Sequence, residues 1–361
     1  MNHPLIPGRY FAASNSCKGF CNYYGEVFTE TGPRRLYIIK GGPGTGKSHF
    51  MKTVARHARS RGYTVTEYAC SSDPSSLDGI LLQREGSPTL GFLDGTAPHQ
   101  RDPVLPGARD EIINLGSFWD ASRLGGQEER IRTLGEEKAA AYRRAYAYLA
   151  AAGEVDNGME SRIRTCVRMD RLKGLARRIL RDQPRGEGFA PVPALRRAVS
   201  MAGDVCLHTL EEASAACGGM LLSVEDYYGL GFCLTRQLWE LSREMGHALL
   251  VSYDPVYPHK IDGLFYPDTG LCILVGNVAP VEGGRSRVLS LRRYAYAEEM
   301  RRLRPLLRRD RAWQEHLTEA ALGELSSAAS FHFELEGIYS AAMDFGAKEA
   351  YTRVFCEKMG L

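Results

Sequence analysis

No apolar run in this 361-residue chain reaches the ~18 residues that a bilayer-spanning helix needs. The first ten residues, MNHPLIPGRY, lack a basic segment followed by an apolar core, so no secretory leader is expected. The nine cysteines are odd in number and scattered, which argues against a disulfide framework and for a reducing cytoplasm. Only Cys17 and Cys21 stand close together, in CKGFCNYY. No second Cys or His pair is suitably placed, so thiols are expected there rather than zinc. Strong charge of either sign is also missing. A net +3 does not by itself call for nucleic acid or an acidic membrane. An Asn-Lys-x-Asp guanine-recognition segment is absent too, which favours ATP over GTP.

What is present is a globular composition, 44% hydrophobic and 25% charged, long enough for two domains with a core each. Leu36 to Lys40 is a short apolar run, and Lys47 to Arg61 reads as a helix. GYTVTEYAC, from Gly62, alternates like a strand, and TLGFLDG, from Thr89, is a second apolar run ending in an acid. This order predicts a parallel α/β sheet. From Gln127 to about Arg181 the chain is charged, Ala-rich and helical. The Pro/Gly-rich RDQPRGEGFAPVPA then marks a boundary, giving expected halves of 1–190 and 191–361. The second half repeats the order: MLLSV, GFCLTRQLWELSREM, GHALLVSY and GLCILVGN, then helices from Leu289 onward. Gly62/Gly246, Pro74/Pro258, Asp78/Asp262 and Gly79/Gly263 all recur at one offset of 184. A tandem duplication is the expectation.

Gly41-Gly42-Pro43-Gly44-Thr45-Gly46-Lys47-Ser48 satisfies G-x-x-x-x-G-K-[ST]. Glycines let successive amides turn inward around a phosphate, and the helix that follows adds its positive end. Lys47 is placed for the β- and γ-phosphates and Ser48 for Mg²⁺. Gly42 to Ser48 and His49 form the expected ATP contact set. Asp94, ending an apolar run, is the expected acidic partner of the metal. For the reacting end, Asp73 in CSSDPSS lies where ligands of open α/β sheets gather, though the same residues make a good turn. His99 follows Asp94 in a Pro-rich loop and could be structural or catalytic. Glu111 reads as a helix-face carboxylate, and Arg101 and Arg109 could stabilise transferring charge.

At the 184 offset Lys47 falls on Gly231 and Ser48 on Phe232. After a two-residue slip Asp94 falls on Gly276. The phosphate cation, the metal hydroxyl and the metal acid are thus lost together, and one nucleotide site is expected, not two. Asp226, Tyr227 and Tyr228 occupy the second loop.

KGGPGTGKS together with CSSDPSSLDG and LDGTAPH resembles a little-characterised family of bacterial tandem P-loop ATP-binding proteins, labelled as ATPases or NTPases. The likeness is sharp from Arg9 to Asp120 and weak beyond Gln127. It implies nucleotide contacts at Gly44, Gly46, Lys47 and Ser48, with Asp94 as the acidic partner. In that family the second half can carry its own phosphate loop, and this sequence departs there. The fold expected is therefore α/β: a P-loop NTPase-like parallel sheet with appended helices, then a degenerate copy. The function expected is a Mg²⁺-dependent ATPase coupled to a partner or a conformational change. A small-molecule or nucleotide kinase and a non-hydrolysing ATP-binding module are the alternatives. Arginine-rich stretches at 162–185 and 292–311, the second with Tyr294 and Tyr296, read as solvated helix faces in preference to a nucleic-acid surface.

Overall fold

The computed structural model describes residues 6–30, 32–186 and 188–361. The first half opens with β1 (Arg9–Phe11), the hairpin β2 (Ala13–Ser16) and β3 (Gly19–Asn22), and a short α1 (Tyr24–Val27). β4 (Arg35–Lys40) then leads through the glycine loop into α2 (Lys47–Ser60). β5 (Thr64–Ala69), β6 (Leu77–Gln83), β7 (Leu90–Asp94) and β8 (Asp110–Asn114) complete a six-stranded sheet in the order β1-β5-β6-β7-β4-β8. After a 3₁₀ turn at Leu115–Phe118 come α3 (Ala121–Leu124), the long α4 (Glu128–Cys166) and α5 (Met169–Ile179).

The second half uses the same parts in the same order. These are β9 (Ala190–Pro193), the hairpin β10 (Arg197–Ser200) and β11 (Gly203–Cys206), and α6 (Thr209–Ala216). They continue with β12 (Met220–Glu225), α7 (Leu230–Met245), β13 (Ala248–Tyr253), β14 (Ile261–Tyr266), β15 (Leu271–Val275) and β16 (Arg285–Ser290). Its sheet runs β9-β13-β14-β15-β12-β16, strand for strand the order of the first. α8 (Ala297–Ala341) and α9 (Phe345–Met359) close the chain. The duplication extends to irregularities. Gly79 pairs with Tyr68 and Gly263 with Ser252, and each sheet slips register one residue later, after Tyr68 and after Ser252. Gly62 and Gly246 both take positive φ just past their helices, where an L side chain would be strained.

The expectation of a parallel sheet needs correcting. β6 runs antiparallel to both β5 and β7, as β14 does to β13 and β15, so both sheets are mixed. Only seven residues, 70–76, separate β5 from β6. A parallel return needs a crossover of a dozen or more, whereas a turn of this length suits an antiparallel pair. Glu111 is likewise corrected from a helix to strand β8, where the β-branched Ile112–Ile113 beside it favours extended backbone.

The appended helices exchange sides. α4 and α8 lie antiparallel, tied by Arg144–Glu324, Arg162–Asp310 and Arg130–Glu334. α9 follows α8 back to the first half, where Phe355, Cys356 and Met359 join the core of α2, β4 and β7. α5 does the reverse: Leu172, Leu175 and Ala176 sit in the core of α7 and the second sheet. Backbone links mark the exchange in pairs. Asp120 N donates to Ala342 O and Tyr296 N to Cys166 O. Asp344 N donates to Phe118 O and Arg168 N to Tyr294 O. Each member of a pair lies 176 residues from its counterpart, so the two halves embrace through a quasi-twofold axis.

Candidate functional site

The two loops that could cradle a phosphate lie at the ends of β4 and β12, where each sheet meets its main helix. Leu36, Ile38 and Ile39 are fully buried in the sheet, and the chain leaves it at Gly41. Gly41, Gly44 and Gly46 all take positive φ, and Gly46 caps α2 in the left-handed region. Thr45, almost fully buried, donates through Oγ1 to Gly42 O at 2.9 Å and pins the turn. Lys47 Nζ donates to Gly41 O and Gly42 O, both at 2.9 Å, and lies 3.5 Å from Asp94 Oδ2. Asp94 ends β7, the parallel neighbour of β4, and its Oδ1 accepts from Thr96 N at 2.9 Å and Thr96 Oγ1 at 2.6 Å. Ser48 Oγ accepts from Leu77 N at 2.9 Å. A hydroxyl oxygen and a carboxylate on neighbouring elements form a hard oxygen pair suited to Mg²⁺.

His99 is buried one layer below. Its Nδ1 lies 2.9 Å from Asp94 O, and a carbonyl can only accept, so that nitrogen carries the proton. Its Nε2 lies 3.3 Å from Asp78 Oδ2, which also accepts from Tyr24 OH at 2.9 Å. Burial pushes the His99 pKa down, but Asp78 outweighs this and leaves it above its ordinary value. His99 thus holds the backbone of Asp94. Asp73 is tied into its own turn, accepting from Ser75 N, Ser75 Oγ and Ser76 Oγ. Burial raises its carboxyl, yet these bonds prevail and hold it below the usual range. Arg101 donates to Phe28 O, and Arg109 to Asp110 and Thr29 O, so both are engaged in the scaffold.

Residues far away in the chain complete the site. α8 lays His332, Glu336 and Ser340, three positions four apart and so on one helix face, over the loop. Ser340 Oγ donates to Gly44 O at 3.2 Å. A Cβ at Gly44 would meet Glu336 O and Ser340 Oγ at 2.6 Å, so glycine is required by the close approach as well as by its φ. Burial raises the Glu336 carboxyl above its ordinary value, opposed first by the backbone N–H of Gly44 and, more weakly, by Lys47. His332 is pushed down to about 4 by burial, with Lys138 and Lys47 adding to it, and is neutral at pH 7. From α9, the buried Lys348 brings Nζ to 3.1 Å from His49 Nδ1, beside the first turn of α2. The four-residue spacing on α8 is visible in the sequence, but nothing local links Ser340 to a loop residue 296 positions earlier.

In the second half β12 ends at Glu225 and α7 starts after Gly229, again in the left-handed region. Four residues replace six, so Leu230 follows the cap where Lys47 does, and Gly231 stands for Ser48. The 184 offset placed these on Gly231 and Phe232; the shorter loop moves them by one. Asp226 Oδ1 accepts from Gly229 N at 2.9 Å and Gly231 N at 3.2 Å, and its Oδ2 pairs with Arg311 of α8 at 3.1 Å. The positive end of α7 is therefore satisfied by a carboxylate of the chain itself. Beside it opens a cavity of about 910 Å³, lined by Phe232, His259 and Lys260 among others.

Asp254, buried on that cavity's wall, accepts from Val256 N and Tyr257 N. Burial raises its pKa to about 6, against the attraction of Arg197. A carboxyl raised on folding binds its proton more tightly in the native state. Stability is thus fullest below pH ~4 and is lost as pH rises through about 6. A gap of about two units corresponds to about 3 kcal/mol. Asp254→Asn, whose carbonyl can still accept both N–H groups, is expected to gain a few kcal/mol at pH 8 and little at pH 4. Urea unfolding at the two pH values measures the difference.

Of the basic stretches, Tyr294 is buried, and Arg162, Arg164, Arg301, Arg302, Arg309 and Arg311 are paired with carboxylates. Among the described residues no helix is long and apolar enough to cross a membrane.

The fold is α/β, two mixed, parallel-rich sheets with appended helices, compatible with a two-half P-loop-like architecture. No family model matches the chain, and no solved structure does. Over 102 residues it is 31% identical to the hemin import ATP-binding protein HmuV of Burkholderia lata. That match covers 28% of this chain and 37% of the relative's length.

Proposed function

We propose that the chain binds ATP with Mg²⁺ at the loop Gly41–Ser48 and hydrolyses it, coupling the reaction to a movement of its halves or to a partner. One observation carries this reading: Lys47 is held against two loop carbonyls and 3.5 Å from Asp94, at the ends of adjacent parallel strands. An ammonium there can leave the carbonyls for phosphate oxygens, while Gly42 and the residues from Gly44 to His49 supply backbone N–H groups at a helix start, Pro43 shaping the turn without one. The 31% identical segment shared with a protein named as ATP-binding supports the choice of nucleotide.

Ser48 and Asp94 would hold Mg²⁺, which when bound neutralises charge on the β- and γ-phosphates. Lys47 draws the same charge from the loop side. Lys348, buried beside His49, adds a second cation near the helix start. His99 fixes the backbone of Asp94 through its Nδ1–H. Glu336 is the carboxylate facing Gly44, and in this reading it takes the proton of the attacking water. The water oxygen bonds to the γ-phosphorus, the bond to the bridging oxygen breaks, and ADP leaves with that oxygen. α8, lying over Gly44, keeps bulk water from the loop.

The test is equilibrium ATP binding and release of labelled phosphate from γ-labelled ATP by the full chain with Mg²⁺. Binding with steady turnover is expected. Absence of both binding and turnover would falsify the proposal. Tight binding without turnover would select a non-hydrolysing module, and turnover that appears only with an acceptor would select a phosphotransferase.

A further inference from the structure

We propose that the cavity of the second half holds a divalent first-row metal ion on Asp156, Glu160 and His259. Asp156 and Glu160 are four residues apart on α4 and so share one helix face, while His259 follows Pro258 in the turn between β13 and β14. One nitrogen and two carboxylate oxygens converge within 4.8 Å of one another on the wall of the 910 Å³ cavity. His259 Nε2 lies 3.4 Å from Glu160 Oε2 and 3.8 Å from Asp156 Oδ2, longer than ordinary hydrogen bonds. Donors around an ion with bonds of about 2.0–2.2 Å stand roughly 3–3.5 Å apart, so both separations from His259 lie within a few tenths of an ångström of that spacing.

The second observation is independent of the cluster. Asp156 is only 4% exposed, and among the described residues its Oδ2 has no hydrogen-bond partner although Oδ1 has two. Lys260 Nζ donates to Oδ1 at 2.6 Å and Gln314 Nε2 at 2.9 Å. Glu160 is held in the same way, its Oε1 taken by Arg164 at 2.6 Å. Each carboxylate is thus gripped by its outer oxygen while the inner one points at His259, the orientation that outer partners impose on metal ligands. The cations touch the far oxygens and stay out of the space between the donors. A mixed imidazole and carboxylate set suits Mn²⁺, Co²⁺ or Zn²⁺ better than an all-oxygen ion.

The quasi-twofold axis gives the site its place in the fold. Asp156 and Glu160 stand 176 residues from His332 and Glu336, so the stripe that covers the first loop has a counterpart over the second cavity. An ion there would bind α4, which belongs to the first half, to the β13–β14 turn of the second.

The experiment titrates the nucleotide-free full chain with Mn²⁺, which unlike Zn²⁺ has little affinity for the free cysteines, and follows unbound Mn²⁺ by electron paramagnetic resonance. One bound ion per chain is expected, retained in the Ser48→Ala/Asp94→Asn variant. It should be lost in His259→Ala and in Glu160→Gln, both at partly exposed positions that leave far-UV circular dichroism and basal ATP turnover unchanged. Gln314→Ala should weaken binding about 10-fold. Bound Mn²⁺ should also raise the thermal midpoint of the wild type and leave that of His259→Ala where it was. No binding of Mn²⁺ or Co²⁺ by the wild type would overturn the proposal. So would binding that survives His259→Ala and Glu160→Gln, or that is abolished by the Ser48/Asp94 variant alone.

Discussion

Lys47→Ala is expected to abolish measurable ATP hydrolysis, a fall of at least about 100-fold, the scale for removing one preorganised group that stabilises transition-state charge. The size follows from position. The side chain is 12% exposed and its three neighbours are two carbonyl oxygens and a carboxylate, so the ammonium is already stripped of most of its water. Little reorganisation is needed when phosphate oxygens arrive. The fold should survive, because Asp94 keeps both hydrogen bonds from Thr96 and the loop keeps the Thr45 pin. Lys47→Arg is expected to fail as well, since a planar guanidinium cannot take a point ammonium's place between Gly41 O and Gly42 O. Phosphate release and thermal unfolding, measured on the same preparations, separate loss of chemistry from loss of fold. Full activity in Lys47→Ala would remove this loop as the reacting site.

Glu336→Gln is expected to lower turnover by about 10²–10⁴, the range for a positioned general base, while ATP affinity changes by no more than about threefold. Glutamine keeps the shape and retains a carbonyl to accept from Gly44 N–H, so α8 should stay seated. It cannot take a proton. The pH profile distinguishes this role from a structural one. Burial raises the Glu336 pKa, so the carboxylate forms at higher pH than that of an ordinary glutamate, and wild-type turnover should climb with pH as it ionises. The climb should vanish in Glu336→Gln. A residue that merely packed against Gly44 would change affinity or stability and leave the profile alone. Unaltered turnover in the glutamine variant would exclude Glu336 from proton transfer.

Much of this was legible in the sequence, and what was not had a physical cause. The glycine loop, Lys47 and Asp94 are encoded within 54 consecutive residues, and local spacing was enough to place them near one another. The repeated Gly62/Gly246 and Asp78/Asp262 pairs revealed the duplication because they sit at positions of special backbone or burial. β6 and β14 were missed because each follows a turn rich in serine or proline that reads as loop, and their antiparallel direction depends on linker length rather than residue type. His332, Glu336, Ser340 and Lys348 were invisible as site residues. They reach the loop only through the exchange of α8 and α9 between halves, which no local pattern records. The fate of the second loop was half visible: its missing lysine was plain, but that Asp226 itself occupies the α7 terminus required the fold.

α8 touches both loops. Its Ser340 bonds Gly44 at one end, and its Arg311 pairs with Asp226 near the other. The 29 residues from one to the other span about 44 Å at 1.5 Å per residue. A helix of that length, braced along α4, behaves as a stiff lever. Under the proposed function, lifting it from Gly44 to admit a nucleotide would tilt or slide Arg311 against Asp226, making the second loop the fulcrum on which the first one opens.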